Sequence, residues 1–176
     1  MNKILLATLF FVASFTAICQ PILITGADLD TLNQFDCAAN TTAAPNFFDS
    51  GNAGNNYGNN ENEEITVCPD FGNGSNTLGV TFGINGAFTF GVHASDTIFV
   101  YDGPNTTFPL LGAHNSDTDP NGFNHIASFG INPTGCLTFV FKSDAVNDST
   151  GWEANISCLN LPQPFTAHMI GQLSGT

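Results

Sequence analysis

Asp96-Thr97-Ile98-Phe99-Val100-Tyr101-Asp102-Gly103 is the stretch whose reading decides the fold. An acid opens it, a β-branched and aromatic run fills it, and Asp102-Gly103-Pro104-Asn105 breaks it in a tight turn. In extended backbone Ile98 and Val100 point to one face while Phe99 and Tyr101 point to the other. Both faces are apolar, so the pattern predicts a strand covered on both sides, with a carboxylate at each end.

Working outward, similar runs recur with turn signals between them: Glu64 to Cys68, Thr77 to Phe82, Ala87 to Phe90, His125 to Phe129, Cys136 to Phe141 and Trp152 to Cys158. Leu78, Val80 and Phe82 alternate with Gly79 and Thr81. Trp152, Ala154, Ile156 and Cys158 alternate with Glu153, Asn155 and Ser157. The period is two rather than 3.6, and short strands at this spacing without a helical segment predict an all-β sandwich or barrel. Residues 37–62 are rich in Asn, Gly, Ala and Ser and read as a long loop lying over the core, pinned by Cys37, Phe47, Phe48 and Tyr57. Residues 20–36 read as either a leading strand or an arm.

Composition sets the compartment and the partners. The 176 residues suit one domain with a proper core. Residues 1–19 read as a secretory signal, with Lys3 as the charged start, an apolar segment from Ile4 to Phe15, and Ala17 and Cys19 before the cut at Gln20. A lipid anchor on Cys19 is the alternative, disfavoured by the bulk of Ile18. The apolar run is too short for a comfortable membrane span. Two Lys or Arg against fifteen acids give a formal charge of -13, and loss of Lys3 leaves -14. Nucleic acid and anionic membrane are poor partners for such a surface.

Without Cys19, four cysteines remain: Cys37, Cys68, Cys136 and Cys158. An even number in an exported chain predicts two disulfides. If Cys136 to Phe141 and Trp152 to Cys158 form an antiparallel hairpin about Asn147, Cys136 and Cys158 face each other across it. Cys37 then takes Cys68 by elimination, and the other pairings stay open.

From Cys37 to Cys158 the chain resembles a CUB domain of the form seen in secreted bacterial proteins. The matching pieces are Asn56-Tyr57-Gly58-Asn59-Asn60, Asp96 to Gly103, Leu111-Gly112, Phe139-Val140-Phe141-Lys142-Ser143-Asp144 and Gly151-Trp152-Glu153-Ala154. The resemblance implies a two-sheet antiparallel β-sandwich of jelly-roll type. Animal members carry a cysteine three residues before the strand-opening acid and another after the Leu-Gly; here those places hold His93 and a residue near Asn115. The resemblance also implies calcium, held through Tyr57, Asp96 and Asp144 with backbone oxygens near Val146 and Asn147. The family's Glu has no counterpart, because no acid lies between Leu78 and Ser95. Glu61, Glu63 and Glu64 are substitutes only from a loop. The competing reading is that Asp96 and Asp144 accept backbone N–H groups, and that Asp102 is a turn residue.

Catalytic chemistry has little purchase in the sequence. His93, His114, His125 and His168 lack compact metal-ligand spacing and read as solvated, as do Asp117 and Asp119. There is no nucleophile elbow, no His-Glu-x-x-His and no phosphate loop. Trp152 could stack on a sugar, but it shares a face with Ala154 and Ile156 and reads as core. The expectation is a non-catalytic extracellular or cell-surface module that binds protein or carbohydrate. The runner-up is the targeting domain of a larger secreted hydrolase, with residues 159–176 as a linker; a small enzyme in its own right comes third.

Overall fold

The structure is a computed structural model that describes residues 21–30, 34–38, 44–71, 77–83, 88–128 and 130–161. The signal, the end of the linker, His168 and Phe129 lie outside these residues. Ten strands form among the described residues: β1 (Ile22–Leu23), β2 (Phe47–Phe48), β3 (Asn62–Val67), β4 (Thr77–Phe82), β5 (Phe90–Gly91), β6 (Thr97–Tyr101), β7 (Leu110–His114), β8 (Phe123–Ile126), β9 (Leu137–Lys142) and β10 (Gly151–Leu159).

They make an all-β sandwich. One sheet runs β1-β2-β10-β4-β8, with β5 pairing the start of β10; the other runs β3-β9-β6-β7. The strand pairs are antiparallel except β1 with β2. The alternation read from sequence decides what points inward. Leu78, Val80 and Phe82 of β4 and Trp152, Ala154 and Ile156 of β10 are buried against Ile98 and Val100 of β6 and Leu137, Phe139 and Phe141 of β9. Trp152 is core, packed against Phe47, Phe82 and Phe141, although its indole N–H finds no acceptor. The segment before Cys37 joins the same core: β1 pairs β2, and Ile22, Ile24 and Phe35 are buried.

Four expectations need correction. β6 is covered on one face only; Ile98 and Val100 are buried, whereas Phe99 and Tyr101 are half-buried on the outer face, where Lys142 lies over the Phe99 ring. The long Asn-rich loop contains a strand, β2, because two adjacent Phe side chains have a hydrophobic edge of β10 to join. β7 was not foreseen, since Gly112 interrupts its alternation and its burial is mixed.

The largest correction concerns β9 and β10, which are not a hairpin. β9 lies between β3 and β6, and β10 lies in the opposite sheet, so residues 143–150 cross from one sheet to the other. The disulfides change with it: they are Cys37–Cys158 and Cys68–Cys136. The facing-residue logic was sound but had the wrong partner strand. Val67 faces Leu137 in the β3–β9 ladder, and one step further places Cys68 opposite Cys136, with Cα atoms 4.1 Å apart.

Candidate functional site

Strand β6 carries a buried carboxylate at each end. At its exit Asp102 is more than a turn residue: it accepts hydrogen bonds from the Ser128 backbone and hydroxyl and, at 3.0 Å, from the Asn132 amide. At its entry Asp96 follows a tight turn closed by its own N–H on the His93 carbonyl.

Asp96 is where the sequence-predicted residues meet. The Tyr57 hydroxyl donates to Asp96 Oδ2 at 2.6 Å, and the backbone N–H of Asp144 donates to Oδ1 at 2.8 Å. Ser95 Oγ adds a longer bond to Oδ1, and the His93 N–H donates to the Tyr57 oxygen at 3.0 Å. Tyr57 and Asp96 are each 1% exposed. Burial first, and then the Asp96 hydrogen bond, push the Tyr57 hydroxyl well above its ordinary pKa, so it stays a donor. Asn60, in left-handed conformation, turns the Tyr57 loop back so that its N–H reaches the Asp144 carbonyl.

Asp144 and Asn147 lie on the segment that crosses between the sheets. Asp144 Oδ1 accepts the N–H of Val146 in a local turn. Asn147 is exposed, with a positive φ of 68° that reverses the chain after it. Glu61 aims elsewhere: its Oε1 accepts from Gly58 N–H and Ser50 Oγ, while Oε2 is buried with no partner. Calcium needs six to eight oxygens. Asp96 already spends both oxygens on protein donors, and among the described residues no three His, Cys, Asp or Glu side chains form a metal-holding group. This donor set does not fit a calcium cage.

Asp49 is a further fully buried carboxyl, with Oδ1 accepting from Gly51 N–H and Oδ2 from Trp152 N–H. Loss of solvation outweighs these bonds and raises its pKa to about 6. The sequence reading passed over this residue because an Asp in a Gly- and Asn-rich run looks like any other turn acid.

A second cluster was also missed. His114 closes β7 on the edge of one sheet, and His125 lies in β8 on the edge of the other. Their Nε2 atoms are 2.8 Å apart, and His114 Nδ1 is 2.7 Å from Asp119 Oδ2. His114 is 9% exposed, not solvated, and its ring stacks on Phe123. Burial, and then the neighbouring His114, lower the pKa of His125 to about 4. No motif could reveal this, since the two imidazoles come from facing sheets.

No protein-family model matches the sequence, and no sequence relative among curated proteins does either. Solved structures do resemble the folded chain. One is the full extracellular region of zebrafish Gpr126/Adgrg6, with 14% identity over 62% of this chain and 13% of that one, and a TM-score of 0.45. A second holds the CUB1-EGF-CUB2 domains of rat MASP-1, with 14% identity over 63% of this chain and 38% of that one, and a TM-score of 0.45. The third is the MASP-1 CUB2 domain bound to Ca2+, with 15% identity over 61% of this chain and 87% of that one, and a TM-score of 0.43. Two of these three are CUB domain structures. At such identities the likeness assigns no residue and no ligand.

Proposed function

We propose that this chain is a non-catalytic extracellular interaction module that binds a protein partner through the loop end of the sandwich built around Asp96. One observation carries the reading: four loops there are tied into a single polar surface. Tyr57 N–H bonds the Ser149 carbonyl, Asn60 N–H the Asp144 carbonyl, His93 N–H the Tyr57 hydroxyl, and the Asn115 amide the Ala94 carbonyl. Asn52 to Asn56, Ala94, Ser95, Asp117, Thr118 and Val146 to Asp148 are exposed on these loops. Loops carried on a rigid scaffold and rich in Asn, Gly and Ser supply adaptable hydrogen bonding at little ordering cost.

Tyr57 and Asp96 then act as the frame of the surface, and Asp144 and Asn147 shape its outermost turn. The acids Asp117, Asp144 and Asp148 suit a partner with a basic face. Protein is favoured over carbohydrate because Tyr57 and Trp152, the aromatic candidates for sugar stacking at this end, are both buried. The two disulfides suit an oxidising compartment.

The test is binding of the purified chain to arrays of extracellular proteins and of glycans, repeated with Asn55→Ser, Asn56→Ser and Asp148→Asn combined. The expected result is protein binding that weakens with salt and is lost in the combined variant. Binding that survives in the variant, glycan binding alone, or cleavage of an arrayed ligand would overturn the reading.

A further inference from the structure

His114 and His125 close the open side of the sandwich by bringing two imidazole nitrogens from opposite sheets together. Their tautomers are constrained. The Asp119 carboxylate at 2.7 Å fixes a proton on His114 Nδ1, which leaves His114 Nε2 as a bare lone pair aimed at His125. The stack on Phe123, at 3.6 Å between ring centroids, and the Asp119 bond hold the His114 ring in place. A carboxylate that orients a histidine from behind is the arrangement that readies imidazole for a metal.

Gly112 lets the two rings meet. A Cβ there would lie 2.1 Å from His114 Nε2 and 3.0 Å from His125 Nε2, so only a glycine allows both imidazoles to pack against β7 at this point. A zinc ion sits about 2.0–2.1 Å from imidazole nitrogen, and a tetrahedral angle then sets two such nitrogens about 3.3 Å apart. The pair stands at 2.8 Å, so a shift of about 0.5 Å of His125, half-buried on an edge strand, makes room for the ion.

We propose that His114 and His125 form a two-imidazole site for a borderline divalent cation such as Zn2+ or Cu2+, bridging the two sheets, with Asp119 as the positioning residue behind His114. Imidazole nitrogen suits these ions and not calcium. Binding replaces the hydrogen bond between the rings: the Nε2 proton of neutral His125 leaves to water while its Nδ1 takes one up, and water fills the remaining positions on the ion. The site is separate from the Asp96 loop cluster and does not depend on the function proposed above.

The test is isothermal titration of the full chain with zinc chloride and, separately, copper(II) chloride at neutral pH, with a chelator-treated start. One ion per chain is expected, at micromolar affinity, with no net release of protons to the buffer. His125→Gln should weaken it by about tenfold or more and Asp119→Asn by a comparable or smaller factor. His93→Gln and His168→Gln should leave it unchanged. Because His114 is buried, its contribution is read instead by NMR of the unsubstituted protein, where zinc should shift the Nε2 resonances of His114 and His125 together. No binding of either metal at about 100 μM would overturn the proposal. So would binding that persists in His125→Gln, or binding that is lost in His93→Gln or His168→Gln.

Discussion

Replacing Tyr57 by Phe removes one oxygen and, with it, two hydrogen bonds at the loop end. One is the bond that the hydroxyl donates to the buried Asp96 carboxylate, and the other is the bond it accepts from His93 N–H. A bond to a charged group is worth about 1.5–3 kcal/mol and the backbone bond about 1 kcal/mol, so Tyr57→Phe should cost about 2.5–4 kcal/mol. Asp96→Asn should cost about 2 kcal/mol, because an amide cannot accept from both Tyr57 and Asp144. If the two side chains act on each other, the double variant loses less than the sum, by about 1.5 kcal/mol or more. Urea denaturation with disulfides intact, followed by Trp152 fluorescence, measures all four corners of this cycle. A coupling below about 0.5 kcal/mol would refute the idea that Tyr57 and Asp96 form one hub. The same samples decide the calcium question. An ion bound with a Kd of about 1 mM would add about 1.4 kcal/mol at about 10 mM calcium, a rise of roughly 3–6 °C in Tm. The donor geometry predicts no such rise, and one that disappears in Asp96→Asn would refute that prediction.

Two further outcomes follow from the core. The Asp49 carboxyl has a pKa of about 6 when folded and 3.8 as its ordinary value, so the folded state binds more protons between these limits. Its contribution therefore weakens stability as pH rises from about 4 to about 6 and then levels, by on the order of 3 kcal/mol in all. Urea midpoints for Asp49→Asn across this range should lack that slope; an identical pH profile for both proteins would sink the claim. Non-reducing peptide mapping should recover Cys37 linked to Cys158 and Cys68 linked to Cys136. Removing the first pair should cost about 5 kcal/mol and the second about 4 kcal/mol on the chain-entropy account, and a Cys136–Cys158 peptide would overturn the topology.

What could be read from the sequence was local. Period-two alternation fixed which faces of β4 and β10 turn inward, because side-chain direction in a strand depends only on parity. It also placed Trp152 in the core. Pairing was less legible: β9 and β10 are consecutive, and a turn-rich link such as residues 143–150 can close a hairpin or cross between sheets with the same composition. The disulfide error followed from that single choice. Tyr57, Asp96 and Asp144 could be brought together by motif, but whether Asp96 offers its oxygens to an ion or to N–H and O–H donors depends on loop geometry that no motif records. The His114–His125 pair was hidden for a related reason. Their adjacency is a product of sandwich closure, with β7 and β8 as the facing edges, and spacing along the chain says nothing about it.

The Cys37–Cys158 bond also gives the module a mechanical character. These cysteines bracket nearly all of the sandwich, 121 positions apart in sequence yet 5.5 Å apart between Cα atoms. A pull applied to the segments before Cys37 and after Cys158 passes directly from one sulfur to the other. The strands between the two cysteines then lie outside the line of tension, and about 400 Å of potential chain extension stays locked until the bond is reduced. If the module is displayed outside the cell as proposed, its candidate binding loops would keep their shape under loads that straighten an unlinked β-sandwich.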